Sequence, residues 1–123
     1  MSDRFDKVVA IMAQLRAPGG CPWDRKQTHE SLKPYLIEET YEALDTIDRR
    51  DFPKLKEELG DVLLQVLFHS QIGTEEGTFT MDGVLEQLGD KLVRRHPHVF
   101  GDAATGSPTL NSDQVVHRWE DIK

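Results

Sequence analysis

Two short stretches carry the residues whose types and spacing could do chemistry. The first, "IEETYE" (37–42), holds Glu38, Glu39 and Glu42; the second, "KEELGD" (56–61), holds Glu57, Glu58 and Asp61. Glu39 and Glu42 are three residues apart, as are Glu58 and Asp61, so on helices each pair points to one side. Acidic side chains that face each other repel unless water or a cation intervenes. Two readings follow from spacing alone: wet acidic faces on two amphipathic helices, or a cation held between them. No His or Cys lies near these acids except His69, about two turns beyond Asp61. All-oxygen ligation suits Mg²⁺, Mn²⁺ or Ca²⁺. Mg²⁺ usually combines few carboxylates with waters and substrate phosphates, so a cation here points to a phosphorylated substrate.

The elements that must position these acids are all helical. Apolar spacing predicts a first helix over roughly 3–16, ended by "APGG", and a loop through "GGCPWDRKQ". Thr28 or Ser31 is the candidate cap of a second helix reaching about Arg50, with Pro34 forcing its start or a kink. Pro53 suits the first turn of a third helix from about Asp51 to Gly73, and Thr80 caps a fourth that Pro97 ends. Residues 101–112 have loop composition, and "DQVVHRWEDIK" forms a short fifth helix. No strand is predicted, and the fold class is all-α. A tight turn at "RRDFP" makes the second and third helices antiparallel neighbours, an arrangement that can build a metal site from facing carboxylates.

Projection at about 100° per residue assigns the faces. On the second helix Leu36, Thr40, Leu44 and Ile47, joined by Ile37 and Tyr41, form an apolar stripe opposite Glu38, Glu39, Glu42 and Asp45. Taken alone that helix reads as having a solvated acidic face. On the third, Leu55, Leu59, Val62, Leu63, Val66 and Leu67 supply a core stripe, while Leu64, Phe68 and Ile72 lie on the side of Glu58 and Asp61. A helix apolar nearly all round is a buried one, which puts Glu58 and Asp61 at the edge of a buried surface. It also carries more apolar surface than short neighbours cover, so an isologous homodimer is expected.

Composition bounds the function. The 123 residues suit one domain, 1–123. Fifteen Lys plus Arg against 22 Asp plus Glu give a net charge of −7, which argues against capture of nucleic acid through the overall field. Cys21 is the only cysteine, excluding an intrachain disulfide and a thiolate-rich zinc site. The first twenty residues do not read as a secretory signal and no apolar run is long enough for a membrane span, so a cytoplasmic location is expected.

The pattern Glu38-Glu39-x-x-Glu42, fifteen residues, then Glu58-x-x-Asp61 resembles the signature of the MazG-type nucleoside triphosphate pyrophosphohydrolases. "GGCPWDRKQTHESLKPYLIEETYE", "LKEELGDVLLQVLFHSQI", "KLVRRHPHVFGD" and "WEDIK" are similar to stretches of that family in the same order, over essentially the whole chain. The resemblance implies an antiparallel all-α bundle, an intimate homodimer, and Mg²⁺-dependent hydrolysis of NTPs or dNTPs to the monophosphate and pyrophosphate, with Mn²⁺ able to substitute. By it, Glu39, Glu42, Glu58 and Asp61 match metal-holding positions. Glu38 matches the acid that orients or deprotonates the attacking water. Lys54, Lys91 and Arg95 match phosphate-facing positions, and Trp119 and Lys123 match the end of the nucleotide pocket. The blocks are most similar to the first copy in members that carry two such domains, which fits one half of a longer protein.

Each of these residues has a structural alternative. Lys91 and Arg95 complement the dipole at a helix end, Lys54 solvates a first turn, and Trp23, a candidate for stacking a nucleobase, can anchor a core or interface, as can Trp119. The competing functional readings are a non-catalytic helical dimerisation or regulatory copy, and a dUTPase-like or phosphoribosyl-ATP pyrophosphohydrolase-like activity.

Overall fold

The computed structural model describes residues 3–101 and 111–116. All its regular elements are helices: α1 (Asp3–Arg16), α2 (Pro22–Lys26), α3 (His29–Asp48), α4 (Phe52–Glu76), α5 (Met81–Arg95) and α6 (Pro97–Phe100). Residues 112–116 are also helical, begun by Asn111, whose Oδ1 accepts from Gln114 N at 2.9 Å while Gln114 Oε1 accepts from Asn111 N at 3.0 Å. The remainder of the expected fifth helix and most of the 101–112 loop lie outside the described residues. The chain divides into two compact units, Met1–Met81 and Asp82–Lys123. No helix among the described residues is long and apolar enough to cross a membrane.

The first unit is built on the α3–α4 hairpin. Thr28 and Ser31 share the capping of α3: Thr28 Oγ1 accepts from Ser31 N at 3.0 Å, and Ser31 Oγ accepts from Thr28 N at 2.8 Å. Pro34 neither starts nor ends the helix; it lies inside α3, where its missing N–H leaves the Glu30 carbonyl without its usual donor. The hairpin closes through Arg49, Arg50 and Asp51. Asp51 N donates to Thr46 O and Arg50 N to Ile47 O, both at 3.0 Å, with Arg50 in the left-handed region at φ 55°. That is the usual glycine-type helix stop, made here with an arginine whose guanidinium stands 5.3 Å over the Phe52 ring. Asp51 caps α4 in turn by accepting from Lys54 N at 3.2 Å.

The apolar core occupies the far end of this hairpin. Met12, Leu32, Leu67, Phe68 and Ile72 form it, with Val9 and Met81 packed against it. Arg16 ties α1 to the end of α4 through two contacts to the Glu75 carboxylate, at 2.9 and 3.0 Å. The stretch expected to be wholly loop contains α2, a single turn started by Pro22 after Cys21. It holds Trp23 edge-on to Tyr35 and Phe68, with ring centroids 5.9 and 6.3 Å away.

The projection of α3 is corrected by its contacts. Its buried residues are Leu32, Ala43 and Thr46, and Glu39 is half-buried beside them. The stripe expected to face the core points outward instead: Ile37 is 59% exposed and Tyr41 68%, with Leu36, Leu44 and Ile47 also exposed. An amphipathic pattern fixes which residues share a face, and packing against α4 decides which face is inside. Here the small residues Ala43 and Thr46 are inside with Glu39 half-buried, while Glu38, Glu42 and Asp45 stay exposed.

Candidate metal and phosphate site

At the turn end of the hairpin, α3 and α4 bring acids together where the opposite end brings leucines. Glu39, Glu58 and Asp61 each offer a carboxylate oxygen, and the three oxygens lie within 4.8 Å of one another. Glu58 is 6% exposed. Glu39 Oε2 and Glu58 Oε2 are buried without a hydrogen-bond partner among the described residues. A buried carboxylate oxygen lacking a donor is costly, and a cation is the ordinary remedy.

Electrostatics describe the same crowding. Burial, and then the Asp61 charge, hold the Glu39 carboxyl above the usual carboxylate range, with Glu58 and Glu38 adding to it and a hydrogen bond with Glu42 opposing it. Burial also raises Glu58, followed by its hydrogen bond with Glu42 and the charges of Glu42 and Asp61, against a smaller pull from Lys54. Glu42 thus joins the cluster from the exposed side of α3 by contacting both of its deeper members. The small residues explain why α3 tolerates this approach. Ala43 and Thr46 are its inward positions beyond Glu39, and the Thr46 hydroxyl is satisfied by donating to Ala43 O at 2.7 Å.

A cleft of about 680 Å³ opens beside the cluster, in the size range of small-ligand sites. Glu38, Glu42 and Glu58 line it on the acidic side, and Lys54 and Arg49 contribute cations. Lys54 Nζ lies 3.7 Å from Glu58 Oε1 and 3.2 Å from Glu57 Oε2. Its hydrogen bond to Glu57, chiefly, raises the ammonium above the ordinary lysine value. Arg49 is held by Asp45 at 2.9 Å.

The residues fit a hard divalent cation. Three oxygens all within 4.8 Å of one another are close enough to share one such ion, whose oxygen ligands stand about 2.1 Å (Mg²⁺) or about 2.3–2.6 Å (Ca²⁺) from it. Nitrogen or sulfur ligands are lacking in the cluster, which disfavours zinc.

Of the residues singled out from sequence, Glu38, Glu39, Glu42, Lys54, Glu58 and Asp61 are brought to this end of the hairpin. Trp23 is 44% exposed, on the other side of the cluster towards the core. Lys91 and Arg95 belong to the second unit, four residues apart on one face of α5. Trp119 and Lys123 lie outside the described residues. Sequence reasoning missed two residues. Arg49 follows Asp45 at the spacing of a helical ion pair, a signal that was present, and buried Gln65 lies four residues beyond Asp61 on the same stripe.

Comparison with known proteins gives the family. Residues 27–100 match the MazG nucleotide pyrophosphohydrolase domain. The chain is 59% identical over 119 residues to a nucleoside triphosphate pyrophosphohydrolase/pyrophosphatase MazG of Thermotoga maritima, covering 97% of this chain and 44% of that protein. It is 49% identical over 122 residues to a nucleoside triphosphate pyrophosphohydrolase of Escherichia coli K12, covering 98% and 45%. The chain therefore spans less than half the length of these curated relatives. Among solved structures, the crystal structure of a mazG-related protein from Thermotoga maritima superposes with a TM-score of 0.72 over 98% of this chain and 96% of that one, at 20% identity, a likeness of fold.

Proposed function

This chain belongs to the MazG nucleotide pyrophosphohydrolase domain family, and from that premise we propose that it hydrolyses nucleoside or deoxynucleoside triphosphates to the monophosphate and pyrophosphate. The observation that carries the reading is the convergence of Glu39, Glu58 and Asp61 with two buried, unpartnered oxygens. Oxygen-only ligation beside a cleft large enough for a small ligand suits Mg²⁺ with a polyphosphate.

Glu39, Glu42, Glu58 and Asp61 would hold Mg²⁺, with Mn²⁺ as a substitute. Once bound, the ion supplies neutralising charge at the phosphates and a lowered pKa for water. Lys54, beside Glu58, is assigned to a phosphate oxygen, a role its position at the cleft supports, with Arg49 also lining that cleft. Glu38 lines the same cleft and is the base candidate. In the reaction the water oxygen forms its bond to the α-phosphorus and a water proton passes to the Glu38 carboxylate. The bond from that phosphorus to the bridging oxygen breaks, and pyrophosphate leaves with the electron pair. Lys91, Arg95, Trp119 and Lys123 are proposed to complete the phosphate and nucleoside contacts, and Trp23 to stack the base.

Assembly belongs to the same proposal. The outward apolar stripe of α3 supports an isologous homodimer, since a second copy would cover Ile37, Tyr41, Leu44 and Ile47. A panel of NTPs and dNTPs with Mg²⁺, with products resolved as pyrophosphate or phosphate, tests the activity. Release of phosphate alone, or no turnover on any member, would reject it.

A further inference from the structure

Gln65 is 4% exposed, and its Oε1 has no hydrogen-bond partner among the described residues. Buried amide oxygens are nearly always paired, and an orphan in the middle of a long helix calls for a missing donor. Its direction follows from its neighbours on α4. At about 100° per residue, Gln65 lies about 20° around the helix from Glu58 and about 40° from Asp61 and from His69. All three of those residues meet α3: Glu58 and Asp61 cluster with Glu39, and His69 Nδ1 lies 2.7 Å from His29 Nδ1. Gln65, between them, therefore projects towards α3 as well. The two antiparallel contacts, Glu39 with Asp61 and His29 with His69, set the register and put the turn bearing Tyr35 opposite Gln65.

Three chemistries then succeed one another along α4. The acids come first, Gln65 follows about 6 Å along the axis from Asp61, and Phe68 is about one further turn on. Phe68 and Tyr35 are the ring neighbours of half-exposed Trp23. A nucleotide presents its groups in the same order: charged phosphates, a sugar with neutral O–H donors, then a flat base. A neutral amide acceptor suits the middle position. A carboxylate there would add to the charge of the acid cluster, and an apolar residue would give a hydroxyl nothing to bond.

We propose that Gln65 Oε1 accepts a hydrogen bond from a sugar hydroxyl of the bound nucleotide, making Gln65 a specificity-determining residue between the acid cluster and the Trp23–Tyr35–Phe68 rings. This rests on the triphosphate reading above and adds to it the direction in which the nucleoside lies.

The test is calorimetric binding, with Mg²⁺, of the α,β-methylene triphosphates of adenosine, 2′-deoxyadenosine and 2′,3′-dideoxyadenosine. Wild-type protein should lose about tenfold in affinity at the step that removes the accepted hydroxyl. Gln65→Leu and Gln65→Met should bind the analogues on either side of that step alike, while the thermal midpoint of the ligand-free protein stays level or rises. Equal affinities in the wild type would overturn the assignment, as would variants that keep the wild-type ratio or lose affinity equally for all three. Failure of both variants to fold would overturn it too, by making Gln65 a structural part of the hairpin. Hydrolysis is scored apart. If sugar discrimination is found but no natural triphosphate yields pyrophosphate, the activity reading falls and the Gln65 assignment stands.

Discussion

His29 Nδ1 and His69 Nδ1 face each other at 2.7 Å across α3 and α4, with the imidazole planes only 5° apart. At that distance one nitrogen must donate and the other accept, so the pair tolerates one Nδ1 proton and not two. Burial, and then the nearby His29, hold His69 below the usual imidazole value. His29 is the first residue of α3, and its Nε2 is 3.9 Å from Glu76 Oε2. Since the folded-state value is the lower one, the folded protein binds fewer protons than the unfolded chain. The linked stability is present above the unfolded value of about 6.5 and is lost as pH falls from there towards the folded value. His69→Gln should remove this dependence. Between pH 7.5 and 5.5, thermal melts of wild type should lose a few degrees relative to the variant; parallel curves would contradict the linkage.

The acid cluster makes the sharpest chemical prediction. Glu39→Gln and Asp61→Asn keep shape but each removes a charge from three acids whose oxygens lie within 4.8 Å. Mg²⁺ affinity should fall and hydrolysis should drop by at least about a hundredfold, while the melting temperature holds or rises as repulsion is relieved. Glu57→Gln is the control. Glu57 projects about 100° from Glu58 and is exposed. Steady-state kinetics with nearly equal rates for all three variants would leave only an acidic surface.

Protons should compete with the cation. Glu39 and Glu58 have carboxyls raised above the ordinary value, so the ligand-free fold binds more protons than the unfolded chain. Their contribution is full below the unfolded value of about 4.3 and is lost as pH rises through the folded values. Added Mg²⁺ should therefore raise the melting temperature most at pH 7.5 and progressively less towards pH 5. A Mg²⁺ effect that is absent, or that is independent of pH, would argue against ligation by these acids.

The outward stripe of α3 predicts association. Sedimentation at micromolar concentration should give about 28 kDa, twice the 14.0 kDa chain. Leu44 is 48% exposed, so Leu44→Asp should shift the protein towards monomer without unfolding it. A monomeric wild type would remove the dimer.

Much of this was legible in the sequence, and the exceptions have physical causes. The starts of α3 and α4 and the end of α5 follow from Thr28, Asp51, Pro53 and Pro97, whose backbone preferences act locally. By contrast, α4 runs past the expected Gly73 to Glu76, where Gly77 caps it. The three-residue spacing in Glu39/Glu42 and Glu58/Asp61 likewise depends only on helical pitch. The inside faces were not legible: Leu59 and Leu63, expected in the core stripe of α4, are exposed, and on α3 the inside face is inverted. Leu36, Ile37, Leu44 and Ile47 outweigh Ala43 and Thr46 in apolar character, yet the latter are buried, because close approach to α4 favours small residues. A one-chain hydrophobic pattern cannot say whether a leucine stripe faces its own core or another surface. The short α2 was hidden for a different reason: "CPWDRKQ" has a helix start at Pro22 but too few residues for periodicity to show.

The inverted burial of α3 also bears on which part of the hairpin opens first. Beyond Leu32 the helix anchors itself inward with only Ala43 and Thr46, whereas α4 is pinned by Leu67, Phe68 and Ile72. Backbone amides from about Glu39 to Asp48 should therefore exchange with solvent deuterium through low-energy local openings, while those near Phe68 exchange only with the deepest unfolding of the unit. Glu39 and Glu42 belong to the looser of the two strata. The hairpin keeps its rigid half for folding and lends its yielding half to ligands.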